Sequence, residues 1–236
     1  MIHIGSCVVR KEKHFRLEIN DLCFEKGYNY FIIGASGSGK STLLRSVLGL
    51  EECEGVIYKK ENGQQIIQSD PLYKKGLMYL SQEFALWDHL SVEEHINFTL
   101  SKGKSLKRQE QTNYYIDLVN LEHCNRQKPH TLSGGEKQRL ALSRALAAKP
   151  DYLFLDEPFA NIDIVQADML MHMLESEQKR EGFGMIKVTH HFVGIKDIHS
   201  MIVVLEEGKV TFQGTYSQIQ EHTFSPWIQR WKELLP

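Results

Sequence analysis

Apolar and polar positions alternate along the first 33 residues: Ile2, Ile4 and Val8, then Leu17, Ile19, Leu22 and Phe24, before the unbroken run Tyr30-Phe31-Ile32-Ile33. A period of two gives a strand one apolar face, whereas an unbroken run suits a strand covered on both faces. The pattern predicts antiparallel strands feeding a buried strand. After Lys40 the period changes, and Leu43, Leu44, Val47 and Leu48 recur at helical spacing up to Gly49, a helix-stop residue. Residues 55–70 are polar with short β-like pieces, and Asn62-Gly63 is a hairpin-turn signal. Residues 84–149 read as mostly helical, with a polar stretch at 101–108, which predicts an α-helical insert. Short apolar runs return at 152–155 and 185–189, as in buried parallel strands; another strand follows at 201–205, and Glu207-Gly208 starts a turn into 209–212. Strands alternating with helices indicate the α/β class.

With 236 residues and 42% hydrophobic content, the chain is long enough for one sizeable core, so a single domain over 1–236 is expected, with the helical subdomain at about 84–149. A net charge of −2 provides no general attraction for nucleic acid or anionic membranes. No nucleic-acid partner is expected. Cys7, Cys23, Cys53 and Cys124 are far apart in sequence without metal-ligand spacing, which suits reduced thiols in a cytosol. The first residues are too interrupted for a signal peptide, and no run of about 18 apolar residues occurs, so any work at a membrane would go through a partner.

Three segments carry phosphate chemistry. The first, Gly34-Ala35-Ser36-Gly37-Ser38-Gly39-Lys40-Ser41 followed by Thr42, fits Gly-x4-Gly-Lys-Ser between an apolar run and a helical pattern. Glycines let backbone N–H groups approach phosphate oxygens, and the helix start adds a field favourable to anions. Lys40 is placed to reach the β- and γ-phosphates of a nucleotide and Ser41 to ligate Mg²⁺. The second, Tyr152-Leu153-Phe154-Leu155-Asp156-Glu157-Pro158, puts two carboxylates at the end of a buried strand, where open α/β sheets bind ligands. Asp156 suits a metal, directly or through water, and Glu157 suits polarisation of an attacking water. A third segment, Leu132-Ser133-Gly134-Gly135-Glu136, fits a capping box opening the helix of Leu140, Leu142, Ala145 and Leu146. A capped helix start with two glycines exposes free N–H groups, so it can bind a phosphate as well as begin a helix.

Together and in this order, these segments resemble the ABC-type ATPases over roughly residues 1–215. The resemblance implies a P-loop NTPase core with an N-terminal antiparallel β subdomain and an inserted α-helical subdomain. It implies Mg²⁺-dependent ATP hydrolysis in a head-to-tail dimer, in which Ser133, Gly134 and Gly135, with Glu136 beside them, meet the γ-phosphate held by the other subunit. It also gives meaning to Gln82, which resembles the family's glutamine that senses Mg²⁺ and water, and to His190, which resembles its switch histidine; His191 competes, and the Thr-His spacing favours His190. Two departures stand out. Lys11 falls where members commonly carry an aromatic that stacks on adenine, leaving Phe15 and His14 as substitutes. Phe159-Ala160-Asn161-Ile162-Asp163 keeps Asp163 but has Ala160 where the family often has a serine.

The expected function is that of an ATP-hydrolysing motor driving separate integral membrane permease subunits from the cytoplasmic face. The alternative is a non-transport ABC ATPase, at a division site or associated with DNA or ribosomes. The 93 residues separating Lys40 from Ser133 leave no room for the long coiled coils of the repair members, and a single cassette departs from the translation type. The apolar crowd Phe84, Leu86, Trp87 and Leu90 is expected either to dock the membrane partner or to fill the helical insert.

Overall fold

The computed structural model describes residues 1–11, 15–61, 64–67, 76–81, 83–100, 105–159, 162–188, 194–221 and 226–233. His14, Gln82, Ala160, His190 and His191 fall outside these residues, as does the Asn62-Gly63 turn.

Among the described residues, ten strands form one sheet. β1 (Ile2–Lys11) and β2 (Phe15–Phe24) are antiparallel, and β4 (Glu54–Glu61) with β5 (Gln64–Ile67) extends them outward from β1. The parallel strands are β3 (Asn29–Ile33), β6 (Leu77–Leu80), β7 (Tyr152–Asp156), β8 (Gly184–Val188) and β9 (Ser200–Glu206), in the order β9-β3-β8-β7-β6 with β6 at the edge. β10 (Lys209–Gly214) returns antiparallel on β9 through a turn in which Glu207 and Gly208 have φ of 47° and 76°, and it touches β2 at Lys209↔Glu18. Thus the expected antiparallel subdomain and parallel core share one sheet.

This order sets up the chemistry. Because β3, β8, β7 and β6 run the same way side by side, their carboxyl ends lie along one edge, with residue 34 leaving β3, 157 leaving β7 and 81 leaving β6. Such an edge is where open parallel sheets bind ligands.

Helices cover both faces. α1 (Lys40–Leu48) buries Leu43, Leu44, Val47 and Leu48 against Ile2, Ile4, Phe24 and Tyr152, and it ends at Gly49 with φ 73°. The helical insert contains α2 (Val92–Thr99), α3 (Ser105–Asp117) and α4 (Gly134–Ala147). Its core is continuous with the other face of the sheet: Val92, Ile96, Val119 and Leu140 share one cluster with Leu153, Leu155 and with Leu170, Met171 and Leu174 of α5 (Ile164–Glu181). At about 1.5–3 kcal/mol per fully buried aliphatic side chain, this shared layer ties the insert to the strands that carry Asp156. Two short helices not anticipated from sequence, α6 (Tyr216–Glu221) and α7 (Pro226–Glu233), cover Phe31, Ile202 and Val204 through Ile219 and Trp231.

Cys7 is buried beside Cys53, and burial first, then that neighbour, pushes its thiol up to about 12. The four cysteines are free thiols, as expected.

Candidate functional site

The loop between β3 and α1 is shaped by its glycines at two points. A Cβ at Gly34 would lie 2.2 Å from Leu205 O and 2.6 Å from Ser38 Oγ, so only glycine fits this close passage. Gly39, with φ 105°, adopts a backbone that L-residues rarely take, and a Cβ there would be 2.9 Å from Cζ of Phe15. The Phe15 ring therefore packs directly on the phosphate loop. Of the substitutes weighed for the adenine contact, it is the one within the described residues.

Lys40 Nζ donates to Gly34 O at 2.8 Å and Ala35 O at 2.9 Å, folding the ammonium over the loop. Burial lowers its pKa, opposed by Glu157 and then Asp156, so both carboxylates lie within electrostatic reach of the ammonium. The Ser38 hydroxyl is buried and has no hydrogen-bond partner among the described residues. An orphaned buried donor in a loop of this shape fits an anion as its missing acceptor. A cleft of about 550 Å³ opens beside the loop, with residues 35–38 on one side and Glu206, Glu207, Lys209 and Thr211 on the other. That is the scale of small-ligand sites. The β9–β10 turn is fastened to the loop by Gly208 N–H donating to Ser38 O at 3.2 Å.

At the end of β7, Asp156 is gripped on both oxygens: Ser41 Oγ donates to Oδ1 at 2.9 Å and Tyr79 Oη to Oδ2 at 3.0 Å. Two of the three residues expected to serve a metal therefore meet, and Tyr79, not singled out from sequence as a site residue, holds the carboxylate from the neighbouring strand. An aromatic on β6 gives no sequence signal of this; the contact arises from the β6–β7 pairing Tyr79↔Phe154. Ser41 and Asp156 are hard oxygen donors suited to Mg²⁺. Glu157 has φ 48°, and its N–H donates to Val188 O at 2.8 Å. A non-glycine residue held there costs on the order of 1–3 kcal/mol, a strain that clusters at functional sites.

The Ser133 segment forms the anticipated capping box. Ser133 Oγ accepts from Glu136 N–H at 3.3 Å, and the Glu136 carboxylate accepts from Ser133 N–H at 2.8 Å and from its hydroxyl at 2.7 Å. His123 Nε2 adds a contact to the other carboxylate oxygen at 2.9 Å. Hydrogen bonds from Ser133, then from His123, hold the Glu136 carboxyl down to about 2. A Cβ at Gly134 would meet nothing within 4 Å, so this helix start faces open space; Gly135 instead lies near Gln166 of α5. Asp163 caps α5, its Oδ1 accepting from Gln166 N–H at 3.0 Å.

Arg144 of α4 grips the segment after position 82, donating to Ala85 O at 2.6 Å and Phe84 O at 3.0 Å with its guanidinium 4.8 Å from the Trp87 ring centroid. Sequence alone did not mark it, because α4 and this segment meet only in space. Phe84 and Leu86 pack on the insert's core, whereas Trp87 is 38% and Phe98 71% exposed, in edge contact at 5.2 Å. The apolar crowd is therefore partly packed on the insert and partly exposed.

Comparison with known proteins brings out relatives in sequence and in fold. The molybdate/tungstate import ATP-binding protein WtpC of Thermococcus kodakarensis is 34% identical over 222 residues, covering 93% of this chain and 66% of that protein. The sulfate/thiosulfate import ATP-binding protein CysA of a Synechocystis strain is 36% identical over 219 residues, covering 92% and 59%. The chain thus spans about three fifths to two thirds of these curated relatives. Among solved structures, an ATP-binding cassette dimer in a post-hydrolysis state with ADP and Pi aligns with a TM-score of 0.75 at 23% identity, covering 91% of this chain and 98% of its own. The ATP-binding subunit of an ABC transporter aligns at 0.79, also with 23% identity, covering 100% and 95%. The family model described as ABC transporter matches residues 17–160, a stretch that takes in both the phosphate loop and the Ser133 helix, and the chain belongs to that family.

Proposed function

We propose that the chain is the ATP-hydrolysing subunit of an ABC importer, pairing head to tail with a second ABC ATPase subunit and driving separate membrane permease subunits from the cytoplasmic face. One observation carries this reading: the chemistry is divided. Lys40, Ser41, Asp156 and Glu157 converge beside one phosphate loop, while the Ser133 helix turns Gly134 to open space. A helix start of that kind is complete as an anion site only when a second molecule brings the anion to it. The direction of transport follows the names of the relatives, which are import ATP-binding proteins for molybdate, tungstate, sulfate or thiosulfate. No helix among the described residues is long and apolar enough to cross a membrane, in keeping with a permease made by other chains.

In this reading Lys40 leaves the loop carbonyls for the β- and γ-phosphates, and the Ser38 hydroxyl gains its acceptor. Ser41 and Asp156, with Gln82, would hold Mg²⁺, which when bound would supply positive charge against the phosphate oxygens. Glu157 takes up the proton of the attacking water, while Lys40, backbone N–H groups and His190 stabilise the charge that develops on the γ-phosphate. Phe15, packed on Gly39, offers the aromatic face for the base. Trp87 and Phe98 form the exposed part of the permease-docking surface, and Arg144 links that surface to the Ser133 helix.

The test is Glu157→Gln. It should retain ATP binding, lower turnover by about 10²-fold or more, and run as an ATP-trapped dimer on size-exclusion chromatography. Wild-type turnover in the purified variant would remove Glu157 from the chemistry. Co-purification of the wild-type chain with ribosomes or nucleic acid instead of a polytopic membrane protein would remove the importer.

A further inference from the structure

Away from the phosphate loop, the antiparallel strands bring three different ligand types together. Ile2, Ile4, Leu22 and Phe24 turn into the core shared with α1, so His3, Asp21 and Cys23, at the alternate positions of β1 and β2, share the opposite face. The register sets His3 directly across from Cys23 on one side and from Tyr58 of β4 on the other. Imidazole nitrogen, carboxylate oxygen and thiol sulfur lie within 4.8 Å of one another. Ligand atoms around a tetrahedral ion with bonds of about 2.0–2.3 Å stand about 3.3–3.8 Å apart, so a small side-chain shift closes the set. Asp21, whose side chain is 88% exposed, has the room to make it.

Two features point to a cation as the occupant. His3 Nδ1 is bonded to Tyr58 Oη at 2.9 Å, and Nε2 faces Asp21 Oδ1 at 3.0 Å. With the Nδ1 proton given to Tyr58 Oη, Nε2 presents its lone pair beside the carboxylate, an arrangement that a cation satisfies and that orients the ring as in histidine metal ligands generally. Burial, then the charges of Asp21 and Glu25, raise the Cys23 thiol. The field that disfavours a thiolate here is negative, so it draws a cation, whose own charge then displaces the thiol proton.

The mixture of donors selects the ion. Mg²⁺ and Ca²⁺ are hard and take oxygen ligands, whereas Zn²⁺ takes nitrogen, oxygen and sulfur in a tetrahedral set. A second group with the same donor types, His123, Cys124 and Glu136, is less available, because Glu136 holds Ser133 and Cys124 is buried with its Sγ donating to Leu121 O at 3.4 Å. We propose that His3, Asp21 and Cys23 form a binding site for Zn²⁺ that clasps β1 to β2, with the fourth position left to water. None of the three is among the residues assigned to ATP, so the site stands apart from the reading of the chain as an importer subunit.

The experiment titrates the metal-stripped, nucleotide-free chain with Co²⁺ and Zn²⁺. Co²⁺, a spectroscopic stand-in for Zn²⁺, should give a thiolate-to-metal charge-transfer band that saturates at one equivalent and is displaced by Zn²⁺. The band should vanish in Cys23→Ser. Tyr58→Phe, which removes only the group orienting the imidazole, should weaken Co²⁺ binding about tenfold, and His3→Gln and Asp21→Asn, which remove ligands, should weaken it further. Zn²⁺ should raise the melting temperature of the wild type but not of His3→Gln, because an ion bound only by the folded chain stabilises it. Basal ATPase should be unchanged in all four variants. A band that survives Cys23→Ser and disappears in His123→Ala assigns the ion to the other cluster and overturns the proposal. Affinity unchanged in both His3→Gln and Asp21→Asn overturns it too, since a lone thiol then accounts for the band. An equal rise in melting temperature in the wild type and His3→Gln, or a titration that does not saturate near one equivalent, has the same consequence.

Discussion

Replacing Tyr79 by Phe removes one hydroxyl from the site and changes little else. That hydroxyl donates to Asp156 Oδ2 at 3.0 Å, while Ser41 donates to Oδ1 at 2.9 Å, so the variant leaves the carboxylate one of its two anchors. Burial first, then the charge and hydrogen bond of Asp156, pushes the Tyr79 pKa upward, so the phenol is a neutral donor throughout the working range. A hydrogen bond to an ionised acceptor contributes about 1.5–3 kcal/mol. Tyr79 is only partly buried, and water takes up some of the lost bond, which puts the expected loss at the lower end, about 1.5 kcal/mol. Groups that orient a metal ligand typically change metal affinity 10- to 100-fold, and a loss of that size corresponds to about tenfold. In ATPase assays titrated with Mg²⁺ at saturating ATP, Tyr79→Phe should therefore raise the half-saturating Mg²⁺ about tenfold. Turnover at saturating Mg²⁺ should stay within about twofold of wild type, and nucleotide binding in EDTA should not change. An unchanged Mg²⁺ requirement would refute the claim that Tyr79 holds Asp156 for the metal. So would lower kcat at the original Mg²⁺ requirement, which would move Tyr79 to the side of the attacking water.

Three further outcomes follow from single side chains. Trp87→Ala should keep melting temperature and basal ATPase but lose permease binding in a pull-down, because the indole is more than one third exposed; a fall of several degrees would return Trp87 to the insert's core. Phe15→Ala should weaken ATP binding by about 1–3 kcal/mol, if stacking of bases on aromatic platforms is the guide, and unchanged affinity by fluorescence titration would remove the ring from the base site. Burial lowers the Lys187 pKa from 10.5 to about 8 against the pull of Glu175, so between those values the unfolded chain binds the proton that the folded chain has released. The cost of the buried charge is fully present below the lower value, and stability relative to Lys187→Met should rise with pH across the window; urea unfolding showing a falling or flat difference would contradict this.

The phosphate loop, the carboxylates after β7 and the Ser133 cap were legible in the sequence because each is local. A glycine spacing, a strand end and a capping box are set by residues within a few positions of one another, and the change of period at Lys40 marked where strand gives way to helix. The sheet order was not local. Only the parallel packing of β3, β8, β7 and β6 brings residue 34, Asp156 and Glu157 to one edge, and only the β6–β7 register puts the Tyr79 hydroxyl on Asp156. Phe15 shows the same division. Its aromatic character was plain in the sequence, yet its contact with Gly39 depends on how β2 lies across the loop. Lys187 stands inside the run 185–189 that reads as apolar, and its ammonium meets Glu175, twelve residues earlier on a helix that turns back over the strand. Local propensities and spacings identified the groups; the pairing of distant strands and the seating of helices on them decided which groups meet, because those contacts join residues that no period or motif connects along the chain.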